Sequence, residues 1–422
     1  MKNNSFFLAF PFSMFCGEES DELIPEAKTF FEKLINIFKE NNIEYYSAQE
    51  REKWGEEYNN EKESTLFDYE AMKKSDVVIC VPGNPYSGGT HIELGWASVL
   101  KKKIILLLEK DIYYSPLVTG ISCLTNVDVY FYENFYKDVI NIVLKIVSVY
   151  NQNRQLKLIA NFLEKRNEKI DNYSVILGGN NNKLYSVNNK YFIKFKDELS
   201  VVEEKMYFKY TSEFSPKLYY SNIKNKMLVY ELLNAKDLLD ANRVQNLIEI
   251  VYKYAKSRPE TKRHGYGYFG IENNSWLEFL TQEVNNSKQY LIDNNKKISF
   301  IIVDKALKNI DKYKFKKKIL HGDFGLHNTM ISENNDIYFI DPEPVLGDWI
   351  YDFIFFCFSD LSILKMIDFE KISNLINEDK NKAKSMMIIV LFNRLRRVLK
   401  YSPGDFELYF EYWNKMEDFY ND

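Results

Sequence analysis

The spacing of apolar positions changes near residue 150, and two architectures follow from it. Over the first ~145 residues, short apolar runs alternate with stretches of helical spacing, the pattern of βαβ units. Phe6 to Phe10 reads as a buried strand. Pro25 to Glu40 carries Ala27, Phe30, Phe31, Leu34, Ile35 and Phe38 on one helical face. Asp76 to Val81 predicts a strand, His91 to Leu100 a helix and Ile104 to Leu108 a strand. Val127 to Phe131 predicts the last strand, followed by a helix through Asp138 to Val149. Strands apolar on both faces imply an open, mostly parallel sheet covered by helices, with ligands beyond the carboxyl ends of the strands.

From residue 151 a polar helix (Asn151 to Glu168) leads into strand-rich sequence: Tyr173 to Leu177, Lys183 to Val187, Tyr191 to Phe195, Lys217 to Ser221 and Met227 to Glu231. After Asn234 the pattern is mostly helical, broken by a loop-and-strand section at Ile319 to Pro344. The expectation is an α/β chain of two domains, 1–150 and 151–422. The first is an open parallel-sheet (flavodoxin/Rossmann-like) domain. The second is bilobal, with a small sheet lobe over about 170–233 and a helical lobe over about 234–422.

Length and charge narrow the function. A chain of 422 residues suits two or three domains. Lys+Arg 56 against Asp+Glu 60 gives a net charge of −4, no electrostatic footprint for a polynucleotide. The expected partner is a small-molecule substrate. Cys16, Cys80, Cys123 and Cys357 lie too far apart for a zinc motif or a disulfide framework, so reduced thiols in the cytoplasm are expected. Phe6 to Phe15 ends at Cys16 as a secretory segment does. Only Lys2 is basic, however, Pro11 interrupts the run, and bulky Phe15 precedes the cysteine. No apolar run reaches the ~18–20 residues of a membrane span. The 16% aromatic share reads as codon bias.

The densest chemistry lies in His321-Gly-Asp-Phe-Gly-Leu-His-Asn328, followed by Asp341 in Ile340-Asp-Pro-Glu-Pro344. Phosphoryl transfer needs a carboxylate to take the proton of an attacking hydroxyl, and oxygen ligands for Mg²⁺ on the phosphates. Asp323, Asn328 and Asp341 supply that set in the order kinases use. Upstream, Gly178 and Gly179 form a turn able to bring N–H groups over phosphates. Lys194 lies on the third strand of the small lobe. Glu203 is its preferred partner, because Met206, Tyr207 and Tyr210 then fall at i+3, i+4 and i+7; Glu204 is the alternative. Taken singly, Gly-Gly is also a hairpin turn, Lys194 a solvated strand lysine, and the two aspartates turn residues.

Together these residues resemble the aminoglycoside phosphotransferase and choline-kinase-like branch of the protein-kinase fold, over about 170–422. The resemblance adds a hinge-like Tyr230-Glu-Leu-Leu233 and the stretch Asp341-Pro-Glu-Pro-Val-Leu-Gly-Asp-Trp-Ile-Tyr-Asp352. It implies Asp323 as catalytic base, Asn328 and Asp341 as Mg²⁺ ligands, and Gly178, Gly179, Lys194, Glu203, Glu231 and Leu233 around ATP or GTP. Asp352 would buttress the loop. His321 is expected to brace it, and Glu343 to contact metal or substrate or to be solvated.

In the first domain, Pro82-Gly-Asn-Pro-Tyr-Ser-Gly-Gly-Thr-His-Ile-Glu-Leu-Gly-Trp96 follows a strand and opens a helix. Thr90-x-x-Glu93 has capping-box spacing, with Thr90 capping and Glu93 reaching back. The stretch also resembles the nucleoside 2-deoxyribosyltransferase superfamily, including the 2′-deoxynucleoside 5′-phosphate N-hydrolases, over about 5–145. That resemblance implies Glu93 as nucleophile at the anomeric carbon and Asp68 as the acid aiding base departure. It puts Ser87, Gly88 and Gly89 on the substrate, and a dimer through this domain. The loop Pro11-Phe-Ser-Met-Phe lacks the small and basic residues expected around a phosphate.

The expected function is an ATP-dependent phosphotransferase acting on a small-molecule hydroxyl, joined to a domain that cleaves or exchanges an N-glycosidic bond. The alternatives are an antibiotic-resistance kinase with a non-catalytic first domain, for which an acidic acceptor pocket would speak, and a nucleotide-sensing regulator without turnover.

Overall fold

A computed structural model describes residues 5–17, 22–57, 60–83, 87–177, 183–210, 214–241, 244, 246–271 and 273–421. The chain divides into two compact units, Met1–Phe162 and Leu163–Asp422.

The first unit is built on a five-stranded parallel sheet: β1 (Phe6–Ala9), β2 (Tyr45–Ser47), β3 (Val77–Cys80), β4 (Lys103–Glu109) and β5 (Val127–Tyr132), in the order β2-β1-β3-β4-β5. All four residues of β1 are buried because both faces are covered. Phe6 and Leu8 join one core, with Phe30, Phe31 and Phe38 of the Pro25–Glu40 helix. Phe7 and Ala9 join the other, with Met72, Leu94 and Ala97. Each such large side chain contributes about 2 kcal/mol on removal from water. The two-residue alternation therefore fixes the register against a one-residue slip.

Two helix boundaries differ from the sequence reading. The helix expected from His91 begins at Gly88 and runs to Val99. Its N-cap is Ser87, whose Oγ accepts the Thr90 N–H at 3.4 Å. Thr90 is thus inside the helix and buried, and Glu93 sits a turn too far along to close a capping box on it. The helices expected on either side of residue 150 are a single helix, Phe135–Glu164, since no Gly or Pro breaks the chain there.

In the second unit, β6 (Tyr173–Leu177), β7 (Lys183–Val187), β8 (Tyr191–Phe195), β9 (Leu218–Asn222) and β10 (Met227–Glu231) form an antiparallel sheet in the order β6-β7-β8-β10-β9. The rest is mainly helical, around a core in which every residue of the Trp349–Cys357 helix is buried and all but Asp352 are apolar. Short strands Lys318–Leu320 and Val345–Gly347 pair with each other, as do Thr329–Ser332 and Ile337–Phe339, and together they frame the loop between Leu320 and Thr329. Among the described residues no helix is long and apolar enough to cross a membrane, and the four cysteines form no disulfide.

Gly322 in that loop has φ +80°, and a Cβ there would lie 1.8 Å from the Glu343 carbonyl oxygen. Gly322→Ala should therefore lower stability by at least about 2 kcal/mol. Gly404→Ala, with nothing within 4 Å of the new Cβ, should stay within about 0.5 kcal/mol. Thermal melts of the two variants check the contrast; equal melts would contradict it.

Candidate active sites

The loop of the second unit is held from beneath by Asp352. This carboxylate is buried and accepts the backbone N–H of His321 at 2.5 Å and of Gly322 at 3.1 Å. Burial pushes its pKa up to about 6 against the pull of those two N–H groups. The His321 side chain is also buried, with Nε2 2.9 Å from the Ile340 carbonyl, and burial pushes its pKa down to about 4. Both residues therefore brace the loop.

Asp323 projects from this loop. Arg397 Nη1 donates to its Oδ1 at 2.7 Å, and Asn328 Nδ2 donates to its Oδ2 at 3.1 Å. His327 Nε2 lies 3.1 Å from the same oxygen. Burial opposes its ionisation, but His327 and the Arg397 guanidinium outweigh that and hold the carboxyl well below its ordinary range. Asp323 is thus a carboxylate at any physiological pH. Ile340 N donates to the Asn328 carbonyl at 3.0 Å, which sets Asn328 beside Asp341 across the hairpin.

Asp341 has φ +54°, an uncommon backbone for a residue other than glycine. Lys194 Nζ donates to its Oδ1 at 3.0 Å and Lys196 Nζ at 2.9 Å. Burial again opposes ionisation, and the two ammonium groups reverse it. The second lysine escaped the sequence reading, although residues 194 and 196 share a face on the alternation of β8. The acid facing both lysines is Glu204, which corrects the choice of Glu203. Glu204 is buried, 3.8 Å from Lys194, in contact with Lys196, and accepts the Tyr230 hydroxyl. The buried face of the Glu198–Phe208 helix runs through Val201, Glu204, Tyr207 and Phe208, so Glu203 falls beside it. Burial, aided by the charge of Asp197, pushes Glu203 up to about 7.

The remaining expected nucleotide contacts are less defined. Glu231 is exposed, and its N–H is already bonded to the Lys217 carbonyl at 2.9 Å. Leu233 is half-buried. Gly178 and Gly179 lie outside the described residues. Among the described residues no group of three His, Cys, Asp or Glu side chains could hold a metal by itself. Asn328 and Asp341 carry side-chain oxygens of the type Mg²⁺ prefers.

In the first unit the structure brings Asp68, Glu93, Arg51 and Tyr46 together. Tyr46 donates to Asp68 Oδ1 at 2.6 Å and Arg51 Nη1 to the same oxygen at 2.7 Å. Burial, then the nearby Asp68 charge, pushes Glu93 well above the usual carboxylate range, with Arg51 opposing. Glu93 in turn acts on Cys80, the last residue of β3, which sets the cluster at the carboxyl end of the sheet. Gly88 and Gly89 are exposed at the helix start. Arg51 and Tyr46 carry no motif: only the fold brings β2, the short Ala48–Arg51 helix and the Glu61–Lys74 helix to Glu93.

The two units thus carry an acidic cluster at the carboxyl end of a parallel sheet and a loop aspartate, Asp323, with a second aspartate, Asp341, held by two lysines. No protein-family model matches the sequence, and no curated protein does. Among solved structures, the CMP N-glycosidase BcmB of Clostridium botulinum is 31% identical, matching 33% of this chain and 98% of that one (TM-score 0.25). BlsM is 34% identical over 34% of this chain and 91% of that one (TM-score 0.30). Both similarities fall on the N-terminal region of this chain. The C-terminal region is similar to the choline kinase LicA of Streptococcus pneumoniae, at 17% identity over 62% of this chain and 98% of that one (TM-score 0.41). It is also similar to aminoglycoside phosphotransferase APH(4)-Ia, solved with AMP-PNP and hygromycin B, at 15% identity over 62% and 98% (TM-score 0.43).

The burial of His321 makes stability depend on pH. Its folded value of about 4 lies below the ordinary 6.5, so between those values the unfolded chain holds a proton that the folded one does not. Stability from this group should fall as pH drops from 6.5 to 4, by about 3 kcal/mol. Asp352, raised to about 6, acts in the opposite direction and is present in both members of a wild-type/His321→Asn pair. The melting-temperature advantage of wild type over that variant should shrink across this window; a constant difference would contradict the burial.

Proposed function

We propose that the second unit is a bilobal small-molecule kinase, and that the first cleaves or exchanges the N-glycosidic bond of a nucleoside or nucleotide. One observation carries the kinase reading: Asp323, Asn328, Asp341 and Lys194, from separate segments, converge with the charges phosphoryl transfer needs. Asp323, ionised and aimed by Arg397 and Asn328, accepts the proton of the acceptor hydroxyl as its oxygen bonds to the γ-phosphorus of ATP or GTP. The bond to the β-phosphate oxygen breaks and the nucleoside diphosphate leaves. Asn328 and Asp341 would hold Mg²⁺, which neutralises phosphate charge when bound. Lys194 and Lys196, backed by Glu204, then stand free to meet the phosphates.

In the first unit, Glu93 as a carboxylate would bond to the anomeric carbon as the bond to the base breaks and Asp68 gives the base its proton, and water would then resolve the sugar ester and return a proton to Asp68. Asp68, with Tyr46 and Arg51 both on Oδ1, keeps Oδ2 for the substrate. Kinship with a CMP N-glycosidase supports this reading.

Asp323→Asn should reduce transfer of labelled phosphate from ATP at least about 100-fold while ATP still binds. Transfer that survives would remove Asp323 from the mechanism. For the first unit, wild type should release free base from a panel of nucleosides and nucleoside monophosphates, and Glu93→Gln should not. Because the raised Glu93 must lose its proton to attack, activity should climb with pH through a limb above the ordinary carboxylate value. Release that is flat down to pH 4.5, or that persists in Glu93→Gln, would contradict its role.

A further inference from the structure

A cleft of about 720 Å³ opens beside Asp323, a size that suits a small ligand. Its walls differ in character. One is the face of the Lys380–Tyr401 helix that carries Arg394, Arg397 and Lys400; the Trp276–Asp293 helix adds the neutral polar groups of Asn286 and Tyr290. The acids bordering the cleft are Asp323, Glu343 and Asp360. Asp323 is matched by Arg397, and Asp360 is spent capping a helix, accepting Ser362 N at 2.7 Å and Ser362 Oγ at 2.6 Å. Among the cations, Arg396 is paired with Glu283 at 2.8 Å. Arg394 donates to the Ser359 carbonyl, a neutral group, and lies over the Tyr409 ring. Among the described residues neither Arg394 nor Lys400 forms an ion pair.

Arg394 and Lys400, in no ion pair among the described residues, therefore line the space where an acceptor hydroxyl would meet Asp323. A polycationic antibiotic would be repelled by that wall, and the acidic pocket expected for such a substrate is not what borders Asp323. Guanidinium and ammonium groups match a phosphate monoester, Arg by its bidentate fork and Lys as a point charge.

We propose that the acceptor of the second unit already carries a phosphate monoester, which Arg394 and Lys400 bind while a hydroxyl of the same molecule meets Asp323. This rests on the kinase reading above. The step forms a bond between the acceptor oxygen and the γ-phosphorus, breaks the bond to the β-phosphate oxygen, and passes the hydroxyl proton to Asp323. The product is a bisphosphorylated small molecule. Two sources share this chemistry: a sugar phosphate, such as N-glycosidic cleavage of a nucleoside monophosphate releases, and the intact nucleoside monophosphate itself.

The test incubates the full chain with γ-labelled ATP, Mg²⁺ and, separately, ribose, ribose 5-phosphate, CMP, choline and an aminoglycoside. A phosphorylated acceptor should be labelled with kcat/KM at least about tenfold above ribose. Arg394→Ala and the exposed Lys400→Ala should each cut that preference about tenfold, mainly through KM. With CMP as probe, Glu93→Gln separates the sources: label lost in the variant means the released sugar phosphate is the acceptor, and label kept on CMP means the nucleotide is. Equal or better use of ribose, choline or the aminoglycoside would overturn the proposal while leaving the kinase reading intact. So would an unchanged preference in both variants. Absence of any transfer sensitive to Asp323→Asn would overturn both.

Discussion

A buried carboxylate with two backbone N–H groups in its grip holds the second unit's site in shape. Moving an ion such as Asp352 out of water costs several kcal/mol unless hydrogen bonds replace the lost hydration. The N–H groups of His321 and Gly322 do so only if the chain turns sharply at Gly322, where no Cβ fits. That turn sends the His321 carbonyl to the Glu343 N–H at 2.9 Å and leaves Asp323 projecting towards Arg397 and Asn328. The loop is thus fixed from the core outwards, and the exposed chemistry inherits its geometry from groups that never meet solvent.

Electrostatics then sorts the carboxylates by position. Asp323 and Asp341 are kept ionised by their neighbours, His327 and the distant Arg397 in one case and the Lys194/Lys196 pair in the other. Glu93 lies under the opposite balance, where burial and Asp68 outweigh Arg51 and favour the protonated form. A side-chain carboxyl is thus held as an anion in one unit and pushed towards its protonated form in the other.

Much of this was legible in the chain. The two-residue burial of β1 and the 3–4 spacing of Pro25–Glu40 read directly as strand and helix, because each face meets its own apolar layer. The loop aspartates and Lys194 stood out through their order. What escaped depends on tertiary contact. Arg397 lies 74 residues beyond Asp323 with no local signal, and Arg51 and Tyr46 reach Glu93 only through sheet packing. Glu204 was passed over for Glu203 by a one-residue error in the helix face, which Val201 would have corrected. The capping box at Thr90 failed because Ser87, three residues earlier, took the cap first.

The central claim is that Asp341, released by its two lysines, shares a metal with a bound nucleotide. Mn²⁺ electron paramagnetic resonance on the full chain tests this most directly, with Mn²⁺ as a spectroscopic stand-in for Mg²⁺. Mn²⁺ binding should depend on ATP and weaken at least about tenfold in Asp341→Asn. Mn²⁺ binding indifferent to ATP and unchanged in that variant would contradict it.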